Sequence, residues 1–177
     1  MNGTRKAFLL SWNPKKYSAG GAGDEDYKLN LKVGDIERWS CNTTKIKNGD
    51  DVYLIRLGVE PRGIVIKGVV VKESYKAEDW AGTEDTKRYI DFRVEDMRMN
   101  CASGLLPMVL LNMAMPEQQW TPFASGIAVR DDVLQTLQRL WNEGEGKHSL
   151  SQYVDWNNSD LGDSRLEWLR NYQQVVD

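Results

Sequence analysis

DVYLIRLGVEPRGIVIKGVVVK, from Asp51 to Lys72, decides the fold. Ile64 to Lys72 is nearly unbroken Ile and Val, the pattern of a strand buried on both faces. Asp51 to Leu57 is a second strand, with Val52, Leu54 and Arg56 on one side. Glu60-Pro61-Arg62-Gly63 supplies a turn between them, so the two runs pair as an antiparallel hairpin. Asn48-Gly49-Asp50 is the turn that precedes the hairpin.

Working outward, Lys6 to Trp12 is a short apolar strand, ended by Asn13-Pro14 because a residue before proline is pushed away from helix. Residues 18–26, SAGGAGDED, form a loop of small residues and acids. Tyr27 to Val33 fits a helical turn or a short strand equally well. Tyr75 to Thr86 reads as a polar loop carrying Trp80. Lys87 to Met97, KRYIDFRVEDM, alternates, with Ile90, Phe92, Val94 and Met97 inward, as a half-buried strand does. Leu105 to Met115 reads as a strand end followed by a helical turn, and Pro116 to Gly126 as a loop carrying Trp120. DDVLQTLQRLW, Asp131 to Trp141, is a helix with Asp131 as its cap and Val133, Leu134, Leu137, Leu140 and Trp141 on one apolar face. Gly144 to Gly146 stops it. A second helix is expected from about Asp163. About five strands followed by helices imply an α+β domain built on a small, strongly bent or barrel-like sheet.

The composition narrows the class. The chain has 177 residues, 41% of them hydrophobic, enough for one domain with a real core. No apolar run approaches the roughly 20 residues of a membrane span, and the N-terminus reads as a first strand, not a signal peptide. Cys41 and Cys101 form no metal-like pair, so a cytoplasmic protein with free thiols and no cofactor is expected. The net charge is −3. Residues 1–80 hold 14 Lys/Arg against 11 Asp/Glu, whereas residues 81–177 hold 9 against 15. A basic face in the first half is therefore compatible with an acidic total, and phosphate contacts need only a local patch.

Catalytic constellations are sparse. His148 is the single histidine, too few for a zinc site or histidine-based catalysis. No GxxxxGK[ST] loop is present, and SAGGAG is not a GxGxxG opening a helix. The acidic pairs Asp50-Asp51 and Asp131-Asp132 sit at turn or cap positions. The tryptophans carry the stronger signal, seven in all. Trp141 and Trp168 lie on helix faces and read as core. Trp12, Trp39, Trp80 and Trp120 lie in or beside loops with polar or small neighbours. Trp39, in ERWSCNTT, has no apolar company: it is either half-packed core or a wall for a flat ligand. Aromatics at the rim of a small barrel hold nucleobases by stacking, worth about 1–3 kcal/mol per base, and Asn13, Ser40, Asn42 and Ser125 offer groups for a base edge.

FLLSWNPKK, RWSC, GD-x-x-YLIRLG-x-EPRGI, YIDFRV and Q-x-W-x-P-x-x-SG followed by a helix occur in that order over residues 7–142. Together they resemble the EVE domain of the PUA-like superfamily, related to the YTH readers of N6-methyladenine in RNA. The likeness is greatest to EVE modules beside HNH nucleases in modification-dependent restriction enzymes. The resemblance implies a bent β-barrel over residues 1–146 that accepts a flipped, modified base, most commonly 5-methylcytosine or 5-hydroxymethylcytosine in DNA. Residues 147–177 would be a linker or helix leading toward an absent effector, a nuclease domain or subunit. Trp39 matches the first wall of an aromatic cage, with Ser40, Cys41 and Asn42 lining it and Trp80 in the region of the other cage aromatics. Trp12-Asn13 and Trp120 with Ser125 either touch the base or brace the pocket. Lys15, Lys16, Arg38, Lys45, Lys47 and Arg62 are the candidate phosphate contacts. The implied chain is a non-enzymatic reader of double-stranded DNA, with neither metal nor membrane, and homodimerisation is compatible with it. Binding of modified RNA is the alternative, and a small-molecule or protein-interaction module is the third reading.

Overall fold

The computed structural model describes residues 5–16, 29–78, 86–100 and 103–143. Trp80, Cys101, His148, Trp156, Trp168 and the expected C-terminal helix lie outside the described residues. Among the described residues seven strands and two helices follow one another as β1 (Ala7–Trp12), β2 (Ile36–Ser40), β3 (Asp51–Arg56), β4 (Gly63–Glu78), β5 (Thr86–Met97), β6 (Leu106–Pro107), α1 (Met108–Ala114), β7 (Ile127–Ala128) and α2 (Asp131–Asn142). They make one sheet in the order β2-β5-β4-β3-β1-β7, with β6 on β4. The expected hairpin is β3–β4, paired antiparallel from Asp51↔Val69 to Arg56↔Gly63. Strand β1 lies parallel to β3, Ala7 opposite Asp51 and Trp12 opposite Arg56.

The unbroken apolar runs have a direct cause. On β1, Ala7 and Leu9 face one core while Phe8, Leu10 and Trp12 face another; on β3, Tyr53 and Ile55 oppose Val52 and Leu54 in the same way. Both strands are covered on both faces, so neither shows polar alternation. The outer core is roofed by α1 and α2 through Leu110, Leu111, Val133, Leu137, Leu140 and Trp141. The inner core fills the concave side with Phe8, Leu10, Trp12, Trp39, Ile66, Val70, Ile90, Phe92 and Val94. The bend comes from β4, whose pairing with β5 shifts register between Lys67 and Gly68, Val70 and Lys72, and Lys72 and Tyr75. Each such irregularity turns the strand and adds twist.

Three local expectations change. Tyr75 to Glu78 is strand rather than loop, because the β4–β5 ladder continues to Glu78↔Thr86; the Tyr75 hydroxyl donates to Asp91 Oδ1 across it at 2.5 Å. Ile36–Ser40 is an edge strand that the sequence reading did not identify, paired with β5 from Ile36↔Arg93 to Ser40↔Tyr89. Arg130, not Asp131, is the N-cap of α2, since its carbonyl already accepts from Val133 and Leu134 N–H at 3.1 Å each. No side chain caps that end; Asp131 and Asp132 sit in the first turn, where the helix dipole favours acids.

Arg98 locks α2 to the sheet. It is buried, its Nη1 donates to the Trp141 carbonyl at 2.7 Å, and its guanidinium lies 3.9 Å from the centre of the Trp141 ring. Asp96 pairs with it at 2.8 Å. Tyr53 meets the same indole edge-on at 6.1 Å. A buried hydrogen bond from a charged donor contributes about 1.5–3 kcal/mol. Arg98→Ala should therefore lower the unfolding free energy by about 2–3 kcal/mol, read as a drop in urea midpoint at unchanged m-value.

Candidate nucleic-acid interface

The two ends of the sheet path meet at a seam. Asn42 N–H, just past β2, donates to the Ser125 carbonyl just before β7, at 2.9 Å. Ser125 Oγ accepts from Ser11 N–H of β1 at 3.2 Å. Trp39 Nε1–H donates to the Ser11 carbonyl at 3.0 Å. Gly126 (φ +98°) passes so close to β2 that a Cβ there would lie 2.6 Å from Cys41 Sγ. A side chain at 126 is thus excluded twice, by backbone conformation and by contact. The RWSC and SG motifs, 86 residues apart from Trp39 to Ser125, meet here and join the two ends of the bent sheet.

Above the seam opens a cleft of about 910 Å³. Four segments and Leu57 wall it: Ser11 to Asn13 with Lys16, Glu37 to Ser40 with Asn42, Thr86 to Tyr89, and Pro122 to Ser125. Its floor is aromatic. Trp39 and Trp12 reach it from the inner core but are only 9% and 2% exposed. Asn13 Oδ1 accepts from Lys15 N–H at 3.1 Å, and its amide packs on Gly58 (φ +80°), where a Cβ would come within 2.6 Å. The turn after β1 is thereby fixed at the cleft edge.

The predicted site residues divide. Trp12, Asn13, Trp39, Ser40, Asn42, Ser125, Lys16 and Arg38 line the cleft. Cys41 is buried beneath the seam against Gly126, and burial raises the pKa of its thiol, with a backbone hydrogen bond to Thr43 working the other way. Trp120 is buried in the outer core, on the opposite face of the sheet, with Nε1 donating to the Met115 carbonyl at 3.0 Å. It braces the loop that follows and does not line the cleft. Lys15 and Lys45 are exposed without lining it. Lys47 pairs with Glu73 at 3.4 Å and Arg62 with Glu60 at 2.7 Å, both away from the cleft.

Sequence reasoning missed Lys87, Arg88, Glu37 and Phe123, all of which line the cleft. With Lys16 and Arg38 the first two make four cations around the mouth against one acid. The guanidinium of Arg38 is held 4.3 Å over the Tyr89 ring. Lys87 and Arg88 belong to the acidic half of the chain, so the half-by-half charge count pointed elsewhere. Their signal was strand β5 itself, whose second and third residues are basic. Phe123 stood in plain view between Pro122 and Ala124.

Glu37 shares the inward face of β2 with Trp39, two residues away. Its carboxyl is raised above the ordinary 4.5, first by burial, against the pull of Arg38, and further by Asp35 and Asp91. Between 4.5 and the folded value the native chain binds more protons than the unfolded one, so stability falls as pH rises through that window. Glu37→Gln should melt above the parent protein at pH 7, and the gap should close as pH falls below 4.5. A melting-temperature series from pH 3.5 to 7.5 checks this. A second substitution tests the seam. Trp39→Phe keeps a ring but leaves the Ser11 carbonyl unpaired, and should cost about 1–3 kcal/mol of unfolding free energy in urea titration.

Among the described residues no group of three or more His, Cys, Asp or Glu is placed to hold a metal ion, and no helix is long and apolar enough to cross a membrane. No protein-family model and no curated protein matches the chain. Solved structures do. A hypothetical protein from Leishmania major superposes with a TM-score of 0.50 at 15% identity, over 78% of this chain and 96% of that one. A Pseudomonas syringae protein gives 0.50 at 16%, over 76% and 98%. Human THYN1, solved in complex with DNA containing 5-methylcytosine, gives 0.49 at 12%, over 76% and 97%. These likenesses are of fold alone, the α+β architecture on a bent sheet that was expected; the methylated DNA belongs to the THYN1 complex.

Proposed function

We propose that this chain is a reader of modified bases in nucleic acid, taking a modified cytosine flipped from duplex DNA into the cleft beside the seam. The observation that supports it is the composition of one cleft: an aromatic floor, four cations at the mouth and a carboxyl at the wall. The EVE-like motifs supply the substrate class. In the same terms the chain serves as the specificity module of a modification-dependent restriction system, with cleavage supplied by a nuclease domain or subunit elsewhere.

Each part has a physical task. Lys16, Arg38, Lys87 and Arg88 engage phosphates and set register without reading sequence. Flipping a base costs a few kcal/mol of pairing and stacking. Contact with Trp39 and Trp12 offsets part of that cost. Glu37 offers an acceptor to an exocyclic amino group such as cytosine N4. The indole N–H of Trp39 is already committed to Ser11, so Trp39 contributes ring surface and not a base-edge bond. Ser40 and Asn42, which line the cleft, offer partners to the base edge. A buried methyl contributes about 0.8 kcal/mol, or roughly fourfold in affinity.

Fluorescence anisotropy on labelled duplexes carrying cytosine, 5-methylcytosine, 5-hydroxymethylcytosine or N6-methyladenine tests the reading, with the matching single-stranded RNAs alongside. The modified-cytosine duplex should bind at least about fourfold tighter than its plain counterpart. Its log affinity should fall with log salt at a slope no steeper than about −3.6 for four phosphate contacts. Lys87→Ala and Arg88→Ala should each flatten that slope by about 0.9. Equal binding of plain and modified cytosine would end the proposal, and stronger binding of methylated RNA would transfer it to RNA.

A further inference from the structure

Phe123 stands fully exposed at the cleft rim, with a relative accessibility of 109%. The other large exposed apolar residues among those described, Val33 and Ile36, lie at 60% and 61% and do not line the cleft. The segment carrying Phe123 is braced on both sides. Before it, Pro122 and Trp120 are buried, and Gln119 Nε2 donates to the Thr121 carbonyl at 3.0 Å. After it, Ser125 is tied to Ser11 through its hydroxyl and to Asn42 through its carbonyl. A ring exposed on a loop anchored at both ends loses little freedom when it binds, so its ordering cost is already met by the fold.

We infer that Phe123 is the wedge that enters the base stack when the target nucleotide leaves it. The inference rests on the base-flipping reading proposed above and assigns it a residue. The distances suit the task. Phe123 is two residues from Ser125 and the seam, so its Cα lies within about 7 Å of the cleft wall. Adjacent bases are spaced about 3.4 Å apart along a strand, so a nucleotide turned into the cleft leaves its gap within reach of this ring. Apolar side chains are used as such wedges because they replace stacking surface without demanding a hydrogen-bond partner. Lys87, Arg88, Lys16 and Arg38 surround the same mouth, so the backbone they hold is the one whose stack the ring enters. The floor indoles are too buried to serve. Phe123 is the large aromatic turned outward.

A wedge matters only when there is a stack to open, which gives it a signature distinct from a pocket wall. Phe123→Ala should weaken binding of a duplex carrying one paired 5-methylcytosine by about tenfold or more. The same variant should bind single-stranded 5-methylcytosine DNA within about twofold of the parent, on the same stacking scale. Placing the methylcytosine opposite an abasic site should recover most of the loss, because the target is then unpaired. Phe123→Leu should retain most duplex affinity. An unchanged melting temperature for both variants certifies the fold. Equal loss on duplex and single strand would make Phe123 a wall of the base pocket and overturn the wedge; no loss on either would overturn it too. If the unsubstituted protein binds none of these oligonucleotides, the reader assignment itself falls and the wedge with it.

Discussion

A row of carbonyls on one side of β1 sets the shape of this domain. The Ala7 carbonyl accepts from Val129 N–H at 2.9 Å, and the Leu9 carbonyl accepts from Gly126 N–H at 3.0 Å. The next carbonyl in the row is Ser11, and there β7 has ended, because the chain turns at Gly126 with φ +98°. A buried peptide group without a partner costs as much as a lost hydrogen bond. The rung is filled by a side chain: the Trp39 indole N–H reaches across from β2 to the Ser11 carbonyl at 3.0 Å. The neighbouring Ser11 N–H is taken by Ser125 Oγ. Two side chains thus finish a ladder that the backbone cannot, and the Trp39 bond ties β2, the first strand of the path, to β1 as it does so.

That closure decides what the cleft can be. An edge strand with a free row of N–H and C=O groups invites pairing with another chain; here the end of β2 is consumed by the seam, and what remains above it is a concavity and not an edge. Trp39 is locked by its own hydrogen bond and by the inner core, so its ring is a fixed surface. Fixed surfaces bind with less ordering cost than mobile ones. The same lock means that alanine at position 39 would remove a structural rung together with any ligand contact, which is why a ring-retaining substitution isolates the first effect from the second.

How much of this was legible follows from which signals are local. The β3–β4 hairpin and α2 announce themselves through runs and periodicity, because burial on both faces or along one stripe leaves its mark within a dozen residues. Strand β2 did not. IERWS shows the burial pattern of an edge, with only Trp39 buried, and its strand character comes from β5, some fifty residues away. The tryptophans mislead for a related reason. Trp120 and Trp12 look alike in sequence, each beside proline-containing polar loops, yet the sheet places them on opposite faces, one under α2 and one beneath the cleft. Which face a ring takes depends on strand parity and on the turn before it, and neither is visible until the strands are known. Lys87 and Arg88 were hidden by averaging: a net-acidic half can still begin a strand with two cations. Phe123 was overshadowed by the larger aromatic three residues earlier.

The chain carries a net −3, so its surface as a whole repels a polyanion. The cleft mouth gathers Lys16, Arg38, Lys87 and Arg88; away from it, Arg62 is paired with Glu60 and Lys47 with Glu73. On the proposed reading, phosphate attraction is concentrated at this mouth more than over the acidic remainder of the surface. For a reader this concentration is itself a source of selectivity. Broad basic faces bind any duplex and leave discrimination to a small difference between two large affinities, whereas a single focused patch on an acidic body keeps the unspecific term low. On the proposed reading, the roughly fourfold gain from one buried methyl would then weigh against a small background.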